Sequence, residues 1–246
     1  MYYATADAEK NFLDFSKKLS GEIKGNHFKY FKEKPIVIAS TNLKGAGLYE
    51  YFKSIGVASL LEKDISSGLS RLGIDLSSVF ANIDGDVTIA LTQVKTEKKM
   101  LAYSYSDYEY ETTTPEYAVY IDMKDAAEAW SVVNKIIGEI KVEGFYEKLT
   151  PQMYALKLND SDVFIGTQDN VFFISNNSSP VSNNVGTVAD DLSNMAKGKR
   201  SLIYGSFDKL KNDLSKLDNF QRGESSFFLQ QMGVLGDYNY IVDNNL

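Results

Sequence analysis

The sequence predicts an α+β protein: a mostly antiparallel sheet with helices packed on one face. Three observations predict it. The runs Ile36-Val37-Ile38-Ala39-Ser40 and Tyr117-Ala118-Val119-Tyr120-Ile121 are apolar at successive positions, as strands buried on both faces are, so both are expected to be central. Between Val142 and Ser175 the pattern has period two, in short stretches with tight links that suit consecutive antiparallel strands. A strand, polar turn and helix order also recurs three times, beginning at Ile36, Tyr117 and Ser201. Uneven spacing rules out a solenoid. The chain is therefore read as one α+β domain over residues 1–246, with duplicated strand-turn-helix units in two similar halves (about 1–95 and 96–246) as the alternative to convergence on a common local grammar.

In chain order, Phe12, Phe15 and Leu19, with Ala8 a turn earlier, mark an amphipathic helix over 7–22. After the first strand a helix is expected from about Ala46 to Ile55, with Gly56 as a left-handed cap. Two short helices follow, over 57–62 and 64–72, the second ended by Gly73. Asp84-Gly85-Asp86 reads as a turn into a strand whose Val87, Ile89 and Leu91 form one face, the one expected to pack on the core, and whose Thr88, Ala90 and Thr92 form the other. After the second central strand, Ala126, Trp130, Val133, Ile137 and Ile140 form a continuous helix face, with Asp125 and Glu128 at capping spacing. Four strands are expected over 142–149, 153–158, 163–167 and 171–175, linked at Asp160-Ser161 and Asp169-Asn170. Asn176 to Thr187 is a polar surface loop, followed by a helix near 188–195, the third strand and a helix through Leu210, Leu214 and Leu217. An apolar segment, Phe227 to Met232, precedes a last strand at Tyr238 to Val242, and its closeness to Leu246 suggests a natural chain that continues.

Composition removes several functions. A net charge of -7 without a Lys/Arg cluster opposes a nucleic-acid partner. No apolar run approaches the ~20 residues of a membrane span. With no cysteine, thiolate catalysis, disulfides and sulfur-held metals are out. The one histidine, His27 in KGNHFKYFKEK, would have to carry any serine-hydrolase triad; its lysine-rich surroundings read as an exposed histidine. No nucleotide-binding glycine loop is present, and no cofactor or metal is expected. Asp84 and Asp86, like Asp160 with Asp162 and Asp190 with Asp191, lack the further ligands of a calcium loop and read as turns or surface. Trp130 reads as core.

The least ordinary stretch is YSYSDYEYE, residues 103–111. Tyr103 and Tyr105 share one strand face, and Tyr108 and Tyr110 share a face after the Ser106-Asp107 break. An exposed tyrosine pair can stack on sugar rings while Glu109 or Glu111 bonds the ring hydroxyls, so Tyr103, Tyr105, Tyr108, Glu109 and Tyr110 are the candidate ligand-binding residues. The competing reading is a long hairpin whose tyrosines are there as strand formers.

The IDGDVTIALT core of Phe80 to Val94, the segment YAVYIDMKDAAEAW from Tyr117 to Trp130, and the hairpin ending in VFFISNN resemble an uncharacterised family of Bacteroidetes cell-envelope lipoproteins. That resemblance implies an exported protein, held to the membrane only through an N-terminal lipidated cysteine absent from this chain, and it supplies no catalytic residue. The expected function is a non-enzymatic envelope protein with a scaffold or protein-binding role. Its alternatives are carbohydrate binding through the tyrosine stretch and a carboxylate-dependent hydrolase with two facing acids, one of raised pKa. Expected partners are a protein or a glycan at the cell surface.

Overall fold

A computed structural model describes residues 16–58, 68–103, 106–158, 161–182, 187–214 and 237–243. Nine strands form one sheet: β1 Val37–Lys44, β2 Ile83–Tyr103, β3 Ser106–Met123, β4 Tyr146–Thr150, β5 Met153–Leu158, β6 Ser161–Gln168, β7 Val171–Ser175, β8 Lys199–Ser206 and β9 Asp237–Asp243. Their order is β4-β5-β6-β7-β3-β2-β1-β8-β9, with every neighbouring pair antiparallel. Among the described residues, the helices that accompany them include α1 Gly45–Ser54, α2 Leu76–Asn82, α3 Ala126–Gly138, α4 Thr187–Ala196 and α5 Phe207–Leu214. The α+β class is the one the pattern predicts, and β1 and β3 are interior as expected, but helices lie on both faces rather than one, α4 against Ala90 and Phe164 and α3 against Tyr154 and Ile165, because both faces carry apolar side chains to cover.

Local chemistry sets the element ends. Asp125 caps α3 by accepting from the N–H groups of Ala127 and Glu128. Gly56 and Gly73 end helical segments at φ 77° and 63°, and Asp169 turns the β6–β7 hairpin at φ 52°. Each expected strand-to-helix unit is present, as β1 into α1, β3 into α3 and β8 into α5. Of the helix expected over 7–22, residues 16–19 are helical. Its earlier part lies outside the described residues, as do residues 59–67, Tyr105, Asp160 and the segment Phe227 to Met232.

The cross-strand register assigns the two faces. One face carries Ile38, Ala90, Ala118, Phe173, Phe164 and Ala155, covered by Phe28, Tyr30 and Phe31 and by Leu192 and Ala196 of α4. On the other face the register aligns a row across seven strands: Ile203, Ala39, Ile89, Val119, Ile174, Ile165 and Tyr154. Helix α3 covers one end of that row, where Trp130 stacks on Tyr154 with ring centroids 5.1 Å apart. Trp130 is core, at 9% exposure.

Two expectations about β2 are corrected. Asp84-Gly85-Asp86 lies inside the strand, at a register shift between Ile83 and Val87, and is a bulge rather than a reversal. The alternation from Asp86 holds, but the buried face is the opposite one. Asp86, Thr88 and Ala90 are at most 2% exposed, whereas Ile89 is 55% exposed. The polar members of that face are buried because each has hydrogen-bonding partners there.

Candidate functional site

His27 is buried completely, contrary to the exposed histidine its flanks suggest. Gly25, at φ 73°, turns the chain so that the 3-10 turn Phe28–Tyr30 lies against the sheet and takes His27 under it. His27 Nε2 lies 2.9 Å from Asp122 Oδ1, and Nδ1 lies 2.9 Å from Thr88 Oγ1. Ser40 Oγ stands 2.9 Å from the same Thr88 oxygen. Burial works to raise the Asp122 carboxyl. The hydrogen bond and electrostatic pull of His27, the Asp86 N–H and the Lys24 charge outweigh it, and the group sits below the usual aspartate value. An ionised carboxylate only accepts, so His27 Nε2 is a donor to it.

Beside this chain, the Asp86 carboxylate accepts from the N–H groups of Lys24 (2.9 Å) and Gly25 (2.7 Å) and from Asn42 Nδ2 (3.0 Å). Asp86 N–H in turn donates to Asp122 Oδ2 at 3.0 Å. Gly85 makes that approach possible: at φ 148°, a Cβ there would stand 2.6 Å from Asp122 Cβ. The order hydroxyl, imidazole, carboxylate is that of a hydrolytic triad. Here the hydroxyl is 0% exposed and shared with Ser40, so no substrate carbonyl reaches it. The group ties residues 24–31 to the sheet.

The sequence signal for it was present in the polar residues Ser40, Asn42, Asp86, Thr88 and Asp122. They recur at every second position of strands otherwise read as apolar.

A second polar cluster stands where β2 and β3 leave the sheet. The Glu116 carboxylate, 6% exposed, meets Lys95 Nζ at 2.5 Å, Asn177 Nδ2 at 2.9 Å, Gln93 Nε2 at 3.1 Å and Thr92 Oγ1 at 3.2 Å. Burial raises its pKa, and the bonds from Lys95, Asn177 and Gln93 more than reverse that, leaving it lowered. Asn176 extends the edge of β3 beyond the end of β7, accepting from Tyr117 N–H at 2.9 Å and donating to Pro115 O at 2.7 Å. Tyr120 O–H fixes the same loop through Pro180 O at 2.5 Å; its phenol pKa is pushed up by burial and then by Tyr30 and Glu116. The polar loop predicted from Asn176 thus braces the sheet.

A cavity of about 290 Å³ opens here between Tyr30, Phe31, Glu116, Tyr120, Asn177 and Lys209. Its size is at the lower limit of ligand pockets. A hydrolase's general acid needs a raised pKa; Glu116 is shifted the other way, with four donors on its oxygens.

Beyond this point β2 and β3 continue as an arm. Gln93–Tyr103 pairs with Ser106–Glu116, eleven residues from each strand, extending about 35 Å. Among the described residues no further strand flanks the arm, because β1 pairs β2 only to Leu91 and β7 pairs β3 only from Ala118. Asp213 Oδ2 of α5 takes the Val94 N–H at 3.2 Å at its root. The arm is the long hairpin the tyrosine stretch suggested. Its register pairs Tyr103 with Ser106, Leu101 with Tyr108, Met100 with Glu109 and Lys99 with Tyr110. Opposed residues share a side, so Tyr103, Tyr108 and Tyr110 fall on one side and Glu109 and Glu111 on the other.

Comparison with known proteins finds no matching family model, curated protein or solved structure. Among the described residues no helix is long and apolar enough to cross a membrane.

Proposed function

We propose that the protein is a non-enzymatic binding or scaffold protein of the cell envelope, with the β2–β3 arm as its protein-binding element. The observation that carries this reading is the contrast in access: the acid, imidazole and hydroxyl side chains that resemble catalytic groups are buried and mutually satisfied, whereas the arm leaves the sheet with no further strand among the described residues on either edge. Exposed strand edges on a braced ribbon are suited to pairing with another chain. The envelope location rests on the resemblance of the central segments to the lipoprotein family.

The experiment is photo-crosslinking in native cells, with the photoreactive residue at position 98 of the arm or at position 148 on β4. Adducts from position 98 only, in the membrane fraction, agree with the reading. Equal adducts from both positions, or recovery of the protein wholly from the cytosol, contradict it.

Carbohydrate binding is the second reading, favoured by the common side of Tyr103, Tyr108 and Tyr110. Tyr108→Ala with Tyr110→Ala should then abolish glycan-panel binding without moving the unfolding midpoint. A wild-type protein that binds no glycan removes it.

A further inference from the structure

Along each strand of an antiparallel pair, backbone groups that face the partner strand alternate with groups that face out. Three contacts at the root of the arm fix which are which. Val94 N–H goes out to Asp213 Oδ2, Tyr117 N–H goes out to Asn176 Oδ1, and Pro115, opposite Val94, gives its carbonyl to Asn176 Nδ2 and has no N–H to give. No register shift follows the one between Leu91 and Gln93, so the alternation holds to the tip. The outward groups are therefore those of Thr96, Lys98, Met100 and Ala102 on β2, and of Thr113, Glu111, Glu109 and Asp107 on β3. At the root Asp213 and Asn176 stand where a neighbouring strand's backbone would. Farther out, no strand among the described residues takes that place.

The two edges differ in charge. Lys95 to Lys99 on β2 has three lysines and one glutamate, whereas Asp107 to Glu111 on β3 has three acids and no base. The register sets Lys98 opposite Glu111, but it sets Ala102 opposite Asp107 and Met100 opposite Glu109. Two acids of the β3 edge thus have no cation across from them in the arm itself. Lysine is the usual guard of an exposed edge against strand addition, and the β3 edge lacks it. The residues that alternate with its acids, Tyr108, Tyr110 and Thr112, are strand formers.

We propose that the β3 edge of the arm, from Asp107 to Thr113, takes an extended segment of another protein as an added strand, and that this segment carries Lys or Arg at alternate positions with β-branched or aromatic residues between them. This rests on the reading of the arm as the protein-binding element, and it names the edge used and the chemistry of the partner. Main-chain hydrogen bonds to the outward groups supply the affinity. Cations set opposite Asp107 and Glu109 supply the choice of partner, because opposite charges directly across a strand pair attract and like charges repel. The added strand stops at Thr113, since Pro115 offers no N–H and its carbonyl is held by Asn176.

Titration of the whole chain with a synthetic peptide of alternating Lys and Val, and with one of alternating Glu and Val, tests this by residue-resolved amide exchange. The Lys-Val peptide should slow the amides of Asp107, Glu109, Glu111 and Thr113 and leave those of Thr96, Lys98, Met100 and Ala102 unchanged. Glu109→Pro should abolish binding and Met100→Pro should not. Both prolines fall at outward positions, as Pro115 does, so neither removes a bond between the two strands, and the inward amides of Tyr108 and Tyr110 check that the arm is intact. Glu109→Gln leaves the backbone alone and should weaken binding by about two- to fivefold, the worth of one cross-strand charge pair. A wild type that ignores the Lys-Val peptide, equal binding of the Glu-Val peptide, or protection along Thr96 to Ala102 instead overturns the proposal. If the wild type ignores the peptide while position 98 still crosslinks a protein of the membrane fraction, the arm stands as the binding element and only this edge and this partner chemistry are removed.

Discussion

The two halves of the β2–β3 pair share one ladder and differ in everything around it. In the half within the sheet, residues 84–91 and 118–122 have a strand on their outer side, a covered face, and buried polar side chains held by groups from residues 24–42. In the outer half each strand pairs, among the described residues, with the other alone, Met100 is 65% exposed, and the described polar contacts near the middle are as slight as Thr96 with Thr113 at 3.4 Å. Strand propensity is similar throughout, with β-branched and aromatic residues in both halves. Neighbours, not propensity, separate a structural strand pair from one free to serve a surface.

The largest effect should come from breaking the inner half. His27→Ala strips the buried Asp122 of its ring partner and should lower unfolding stability in urea by about 3–5 kcal/mol, the range for a buried pair that loses one member. A loss below about 1 kcal/mol would mean the network is not what holds residues 24–31. Glu116→Gln, at the junction, keeps the shape but loses the ion pair with Lys95, and should cost about 1–3 kcal/mol. Its more telling sign would be faster amide exchange in residues 93–96, while β1 is unchanged.

The pH dependence sharpens the same contrast. Asp122 and Glu116 both have folded pKa values below their usual ones, so the unfolded chain binds the more protons in acid. Their contribution is fully present above the ordinary carboxylate range of about 4 and is lost as pH falls through the lower folded values. The unfolding midpoint should fall in that acid window, and Asp122→Asn should flatten the fall. An unchanged acid slope in that variant would contradict the assignment. The smallest effect belongs to the outer half: replacing residues 97–112 by Asn-Gly, which keeps Lys95 on Glu116, should move the unfolding free energy by less than about 0.5 kcal/mol, as surface changes away from the core do.

Much of the inner half was legible. Alternation and turn residues located β4 to β7, capping spacing located α3, and apolar runs identified the central strands. What failed was the choice of buried face on β2. Alternation says that two faces differ, but Asp86 and Thr88 are buried because Lys24, Gly25, His27 and Asn42, distant in sequence, supply their hydrogen bonds. Likewise Asp84-Gly85-Asp86 has the composition of a turn, and only its packing against Asp122 makes it a bulge. His27 was misread because its lysines are separated from it by Phe28, Tyr30 and Phe31, which go inward. In the outer half the hairpin was legible and its register was not, since that depends on pairing across the strands.

Residue-resolved hydrogen exchange along β2 tests the central claim most directly: that one strand pair serves the fold in its first half and the surface in its second. Amides from Val87 to Leu91 should exchange only through global unfolding, and those from Lys98 to Tyr103 through local opening, with the change falling between Leu91 and Lys95. Protection that stays uniform from Val87 to Tyr103 would show the arm to be part of the cooperative body, and would contradict its separation as a binding element.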